Sequence, residues 1–297
     1  MTSRPAKKYA RIARLPDERV QAGAIPFFLL HAVALAGAIY VGFSWKLLGL
    51  AALFYYARMA GTTIGYHRYF SHRTFKTSRA FQFVLAFWAE TSAQKGVLWW
   101  AAHHRDHHRY SDQQGDIHSP LRGFWWSHMG WILCEKYQET KIDNIKDFAK
   151  YPELRWLDQH YLVPPTLLAV AMFAIGGLPV LVWGFFVSTV LLWHGTFLVN
   201  SLNHVWGSVR YESNDLSRNN ALIALLTMGE GWHNNHHHYQ SSANQGFFWW
   251  EYDLSYYLIR AFQAVGLVRD VRRPPKHVLL DTIAAREQAQ AATAEAA

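Results

Sequence analysis

The sequence predicts an all-α integral membrane protein: four transmembrane helices in two tight hairpins, with a cytoplasmic helical cap carrying a two-metal histidine site. Three observations predict it. Long stretches lack Asp, Glu, Lys and Arg; basic residues crowd the segments beside them; and eight histidines cluster at their edges, as His67/His72, His104/His107/His108 and His233/His236/His237. Composition agrees, since 51% of the chain is hydrophobic and only 17% is charged, against roughly 25% for an average soluble domain.

The segment 1–24 is polar and basic, with Arg4, Lys7, Lys8, Arg11, Arg14 and Arg19, and reads as a cytoplasmic tail rather than a secretory signal. From Ile25 to Trp45 there is no charged residue, and from Leu47 to Tyr66 only Arg58, so spans are expected at about 25–45 and 47–66. Tyr161 to Val209 is again uncharged and is interrupted by Gly176-Gly177-Leu178-Pro179, which predicts a second hairpin with spans at about 161–176 and 179–203. A cap from 67–160 and 204–283 completes a single domain over 25–283, and the Ala-, Gln- and Glu-rich run 284–297 is expected to be disordered. Ala80 to Leu98 and Phe247 to Val268 are apolar but broken by charges, and read as helices lying in the membrane interface. Lys and Arg are concentrated on the side of the termini and the cap, so both termini and the site are expected on the cytoplasmic face.

The formal charge of +8 does not imply a nucleic-acid partner, because the basic residues flank apolar spans, where they contact lipid headgroups. Cys134 is the sole cysteine. It can form no internal disulfide and no cysteine-based metal site, so a metal must be held by nitrogen and oxygen.

Imidazoles crowded together repel once protonated, so repeated clustering calls for a metal ion. In His104-Arg-Asp-His107-His108 and His233-Asn-Asn-His236-His237 the spacing i, i+3, i+4 puts three rings on one helical face, where they can converge on one point. His67 and His72, five apart, stand about 140° apart on an ideal helix, so one is expected on the last turn of the second span and the other just beyond. His204, at the end of the fourth span, is a ninth candidate. Nine nitrogens exceed the six that an octahedral ion accepts, which implies two metals. Zinc needs only four ligands, and magnesium or calcium prefers oxygen. The set suits iron, while spacing alone leaves copper and manganese open.

The order HRYFSH, HRDHH, NHVWG and HNNHH, each at a membrane edge, resembles the integral-membrane fatty acid desaturases, most closely the Δ9 acyl-CoA (stearoyl-CoA) branch, from about Pro26 to Val268. GTTIGYHRYFSHRTF, WAAHHRDHHRYSD, DIHSPLRGFWWSHMGW, TFLVNSLNHVWG and GEGWHNNHH carry the same resemblance. It implies a di-iron centre held by His67, His72, His104, His107, His108, His204, His233, His236 and His237, with Asn200 holding a metal-bound water. It leaves His103 and His238 as neighbours, and no catalytic residue is implied beyond the metal site. It further implies a dioxygen-dependent oxidoreductase that places a cis double bond, expected at Δ9, in a saturated acyl chain borne by CoA or by a lipid. Trp100 and Thr196 match positions that shape the bend of the chain.

Tyr55 and Met59 are candidates for the closed end of an acyl tunnel, and Arg122, with the basic residues around Lys136 to Lys150, for receiving a CoA phosphate. His118 and His128 lie in a family-like stretch as candidate supporting or substrate-side groups, whereas His31, His160, His194 and His277 read as ordinary histidines. Asp106, Asp116 and Glu230 are candidates to orient ligand imidazoles through their far N–H. No His-Pro-Gly-Gly, GxGxxG or cysteine cluster is present, so electrons are expected from a separate donor, a ferredoxin/flavin reductase or b-type cytochrome system. Two alternatives remain. A membrane di-iron hydroxylase would retain oxygen on the chain, and a histidine-rich metal transporter would need ligands near mid-membrane rather than at span ends.

Overall fold

In hydrocarbon every backbone amide must find its partner within the chain, so the uncharged runs fold as helices. A computed structural model describes residues 11–13, 15–285, 287, 288 and 291, and these are mostly helical. Part of the expected N-terminal tail and most of the run expected to be disordered, 284–297, lie outside the described residues.

Helix α1 (Ile25–Val41) ends at Gly42, whose φ of 81° lets the chain turn, and Ser44 then caps α2 (Trp45–Ala60) by accepting the Leu47 N–H at 3.2 Å. The second helix continues past Ala60 through Gly61–Ser71 with the wider turns of a π-helix. Gly61 and Gly65, one turn apart, let α3 (Arg79–Glu90) press backbone to backbone. A Cβ at Gly65 would lie 2.9 Å from the Leu85 carbonyl oxygen, and one at Gly61 3.0 Å from that of Trp88.

The apolar segment Ala80 to Leu98 is therefore not one interfacial helix. It breaks at the turn 91–96, where Ala93 (φ 56°) and Lys95 (φ 74°) adopt the left-handed conformation, before α4 (Val97–Tyr110) begins. The cap continues through α5 (Lys146–Ala149), α6 (Pro152–Gln159), α9 (Ala221–Leu226), α10 (His233–His238), α11 (Leu254–Ala264) and α12 (Lys276–Leu280). A two-residue antiparallel ladder joins β1 (Lys76–Thr77) to β2 (Val268–Arg269) and ties the two parts of the cap together. The described end of the N-terminal segment lies against the cap: Gln21 donates to the Leu133 carbonyl at 3.1 Å, and Glu18 pairs with Arg122 and accepts from Tyr137.

Among the described residues, three helical stretches are long and apolar enough to cross a membrane: Ala22–Val41, Trp45–Ser71 and Val163–His204. The last has 42 residues, and would reach about 63 Å if straight, twice the roughly 30 Å of a hydrocarbon core. It is not straight. Within α7 (Val163–Val180), which runs through the π-helical Leu181–Val187 into α8 (Ser188–Ser201), Gly176 and Gly177 leave helical geometry, Gly177 at φ 62°. The Met172 sulfur lies 3.2 Å from where a Cβ at Gly184 would stand, whereas twelve residues of straight helix would separate their backbones by about 18 Å. The chain has doubled back.

Arg58, the one charge between Leu47 and Tyr66, is buried among hydroxyl and carbonyl partners. Its guanidinium donates to the Thr189 hydroxyl at 2.7 Å, the Ser188 hydroxyl at 2.5 Å and the carbonyls of Phe54, Thr91 and Phe185, clamping three elements together.

Two outcomes follow from this packing. Gly65→Val forces a branched side chain into the Leu85 backbone, and should cost about 1–3 kcal/mol, read as a lower thermal midpoint in detergent; an unchanged midpoint would show that the helices do not meet there. Burial pushes the Glu90 carboxyl up to about 8 from an ordinary 4.5. The folded chain then keeps a proton that the unfolded chain has lost, so stability should fall as pH rises from about 4.5 to about 8 and level off above. Glu90→Gln should flatten that slope, and parallel midpoint curves for the two proteins would refute it.

Candidate metal centre

The π-helical winding resolves the spacing of His67 and His72. With i to i+5 bonding, seen in the His72 N–H to His67 carbonyl contact at 3.2 Å, residues five apart stack one turn above another, and both rings reach one point. They join His104, His108 and His236 in a group whose ligand-type nitrogens all lie within 4.8 Å of one another. Contacts between Nε2 atoms run His72 to His104 at 2.9 Å, His104 to His108 at 2.9 Å, His108 to His236 at 3.0 Å and His236 to His67 at 3.0 Å.

A second group within the same limit comprises His107, His204, His233 and His237, all buried. Here the structure corrects the reading that each HxxHH run converges on one point. On an α-helix i+4 lies about 40° to one side of i and i+3 about 60° to the other. So α4 sends His104 and His108 to the first group and His107 to the second, while α10 sends His236 to the first and His233 and His237 to the second. Each run spans both groups.

Carboxylates stand behind four rings. Glu230 lies 2.5 Å from His67 Nδ1, Asp116 3.0 Å from His107 Nδ1, Asp112 2.8 Å from His204 Nδ1 and Asp215 2.7 Å from His237 Nδ1. Asp116, Asp112 and Asp215 accept the Nδ1–H of His107, His204 and His237 and leave the Nε2 lone pairs pointing inward, and Glu230 stands in ion-pair contact with His67 Nδ1. The Nε2 atoms of His107 and His237 have no hydrogen-bond partner, and His204 Nε2 faces His233 Nε2 at 3.1 Å. Lone pairs aimed at each other across 3 Å repel unless a proton or a metal cation lies between them. Nitrogens held at right angles about 2.1 Å from one ion would stand about 3.0 Å apart, which is the spacing observed.

Burial first, and neighbouring imidazoles second, keep His72, His104, His108, His233 and His236 well below the ordinary histidine range, so their lone pairs are free at neutral pH. Burial alone would raise Asp112, Asp116, Asp215 and Glu230. Contact with His204, His107, His237 and His67 respectively outweighs it and holds each below its ordinary value.

Asp116 and Glu230 thus take the positions expected, while Asp106 does not: its carboxylate receives Lys141 at 2.6 Å and Asn144 at 2.7 Å, away from the ligand-type rings. Asp112 and Asp215 were not legible, because each sits in a loop with no periodic relation to the ring it holds. Arg68 was also missed. Fully buried beside His67, it pairs with both Glu230 and Asp253.

A cavity of about 320 Å³ adjoins the first group and is bounded in part by His104, Trp100, Thr196 and Asn200. Asn200 is one helical turn before His204, and its backbone carbonyl receives the Ser127 hydroxyl. Tyr55, Met59 and Arg122 do not line this cavity. Tyr55 donates to the Leu226 carbonyl at 2.7 Å and packs with Met59 at Gly195, and Arg122 is occupied by its ion pair with Glu18. Of the basic residues near it, Lys136 pairs with Asp17, Lys141 with Asp106 and Lys146 with Asp143.

His118 stacks on His107 with ring centres 4.1 Å apart and burial pushes it down to about 3, whereas His103, bonded to the Trp99 carbonyl, belongs to neither group. His31, His194 and His128, far apart in sequence, form a hydrogen-bonded row that ends on Ser201, so His31 and His194 are satisfied by partners that helical spacing does not reveal.

The family described as fatty acid desaturase matches residues 43–269. The chain is 40% identical over 252 residues to the sn-1 stearoyl-lipid 9-desaturase of Synechocystis sp., covering 84% of this chain and 79% of that one. It is 39% identical to the acyl-CoA C20 Delta5-desaturase of Anemone leveillei (78% and 76% covered) and 38% identical to the delta-9 acyl-lipid desaturase 2 of Arabidopsis thaliana (83% and 81%).

Losing a carboxylate that orients a ligand imidazole typically weakens a metal site about 10- to 100-fold. Asp215→Asn should do so here, measured as bound metal after dialysis against a graded chelator, with the exposed Asp143→Asn as control. Equal retention in the two variants would sink the assignment.

Proposed function

This chain belongs to the fatty acid desaturase family, and from that premise we propose that it introduces a cis double bond at Δ9 of a saturated acyl chain using dioxygen and a di-iron centre. The observation that carries the reading is the pair of imidazole groups beside an apolar cavity. We assign one iron to His67, His72, His104, His108 and His236, and the other to His107, His204, His233 and His237 with a water held by Asn200.

The donor set fits: neutral nitrogens converge, several lack any other partner, and carboxylates fix the rings from behind. Bound there, two irons would supply the activation of dioxygen needed to break an unactivated C–H bond. The chain's own residues do the rest. Asp112, Asp116, Asp215 and Glu230 hold the imidazoles in orientation, and Arg68 offsets the charge of Glu230. Trp100 and Thr196 shape the cavity beside His104, and its apolar walls exclude water from the reacting methylenes. In balance, one acyl chain, one dioxygen, two electrons and two protons give one monoene and two waters. The electrons come from a separate donor.

The doubled-back third stretch supports a topology of four spans in two hairpins, with the cap over 67–160 and 204–283, within a domain from 25–283. Placing the basic cap and both termini in the cytoplasm follows from the charge distribution. The substrate is an acyl group carried by a lipid or by CoA, as the names of the relatives include both.

The test is fatty-acid profiling with double-bond location after expression in a host lacking desaturases. Wild type should yield Δ9 monoenes, and His236→Ala should yield none while remaining in the membrane fraction. Hydroxylated acids without new unsaturation would replace the reading with a hydroxylase.

A further inference from the structure

We infer that Tyr66 is a positioning residue that sets where along the acyl chain the double bond forms; the inference rests on the desaturase reading above. Tyr66 is fully buried, immediately precedes His67, and meets two structures that border the cavity. Its ring stacks on Trp100, with centres 5.3 Å apart and planes 7° from parallel, and Trp100 in turn stacks on His104 of the first imidazole group. Its hydroxyl donates to the Lys95 carbonyl at 2.7 Å.

That carbonyl belongs to the turn 91–96, whose Ala93, Gln94 and Lys95 all line the cavity. With Ala93 and Lys95 left-handed, the turn is costly to hold, and its backbone is gripped from several directions. Arg58 donates to the Thr91 carbonyl, Trp193 to that of Ser92, Tyr66 to that of Lys95, and the Glu90 carboxylate accepts the Val97 N–H. So held, the turn presents Gln94, which bonds the Thr196 hydroxyl at 3.0 Å and accepts from Trp100 at 3.4 Å.

Tyr66 thus ties the cavity wall to the backbone of a metal-edge histidine. An acyl chain has no polar group at the reacting carbons, so its register is fixed only by the shape of that wall relative to the imidazoles. Of the four grips on the turn, the Tyr66 hydroxyl is the one that comes from the residue next to His67.

The test is Tyr66→Phe, which keeps the stack on Trp100 and removes only the hydroxyl. Product is analysed for double-bond position in the desaturase-free host, and iron is counted in purified enzyme. With iron content unchanged, the ratio of the main isomer to its neighbours should fall roughly five-fold, equivalent to about 1 kcal/mol for one hydrogen bond. A single, unmoved isomer would overturn the inference. Should Tyr66→Phe fail to accumulate, Arg58→Lys loosens the same turn at the Thr91 carbonyl without touching the tyrosine; it should spread the isomers as well, and an unmoved product there overturns the proposal equally. Absence of any monoene from wild type would instead overturn the desaturase reading.

Discussion

The structure depends on one constraint: nine crowded imidazoles, most of them buried, must aim their nitrogens inward without facing each other empty. A proton can bridge two neutral rings about 3 Å apart but not a whole group of four or five, and protonated rings in that volume would repel. An arrangement of this kind is a scaffold for cations, and the surrounding architecture serves to hold it. The widened turns from Gly61 to Ser71 align His67 with His72. The split faces of α4 and α10 feed two groups from two short helices, and the ladder between Lys76–Thr77 and Val268–Arg269 keeps the parts of the cap together.

Much of this was legible because histidines at fixed spacing and uncharged runs are one-dimensional signals. All nine histidines named as candidate ligands fall within the two imidazole groups. What escaped was whatever depends on local winding or on loops. An ideal helix gives the wrong angle for His67 and His72, since the π-turn is imposed by close packing on α3 and not by composition. Asp112 and Asp215 could not be chosen over Asp106, because a carboxylate's partner across a fold leaves no trace in spacing. Asp106, three residues from His103 and one from His107, looked better placed, yet Lys141 and Asn144 claim it.

The apolar cavity and the polar cluster are adjacent for a reason that follows from the substrate. A methylene offers nothing to bind but volume, so selectivity must come from a wall whose own position is fixed by strong, directional bonds. The turn 91–96 shows how: Ala93, Gln94 and Lys95 border the cavity, while its backbone carbonyls are taken up by Arg58, Trp193 and Tyr66. Hydrogen bonding is spent on the scaffold, and packing on the ligand.

Charge balance carries the argument one step further. Around the two imidazole groups stand five buried carboxylates, Asp112, Asp116, Asp215, Glu230 and Asp253, against the single buried guanidinium of Arg68. Each carboxylate is held by several donors. Asp215, for instance, accepts from Ser213, from the backbone and hydroxyl of Ser217 and from His237. Hydrogen bonds stabilise these anions but do not neutralise them, and uncompensated charge in a dry interior is costly. Protonating His72, His104, His108, His233 or His236 would add positive charge, but burial and mutual repulsion oppose it. Cations would offset that excess where the lone pairs point, so the carboxylates that orient the rings also favour positive charge between them.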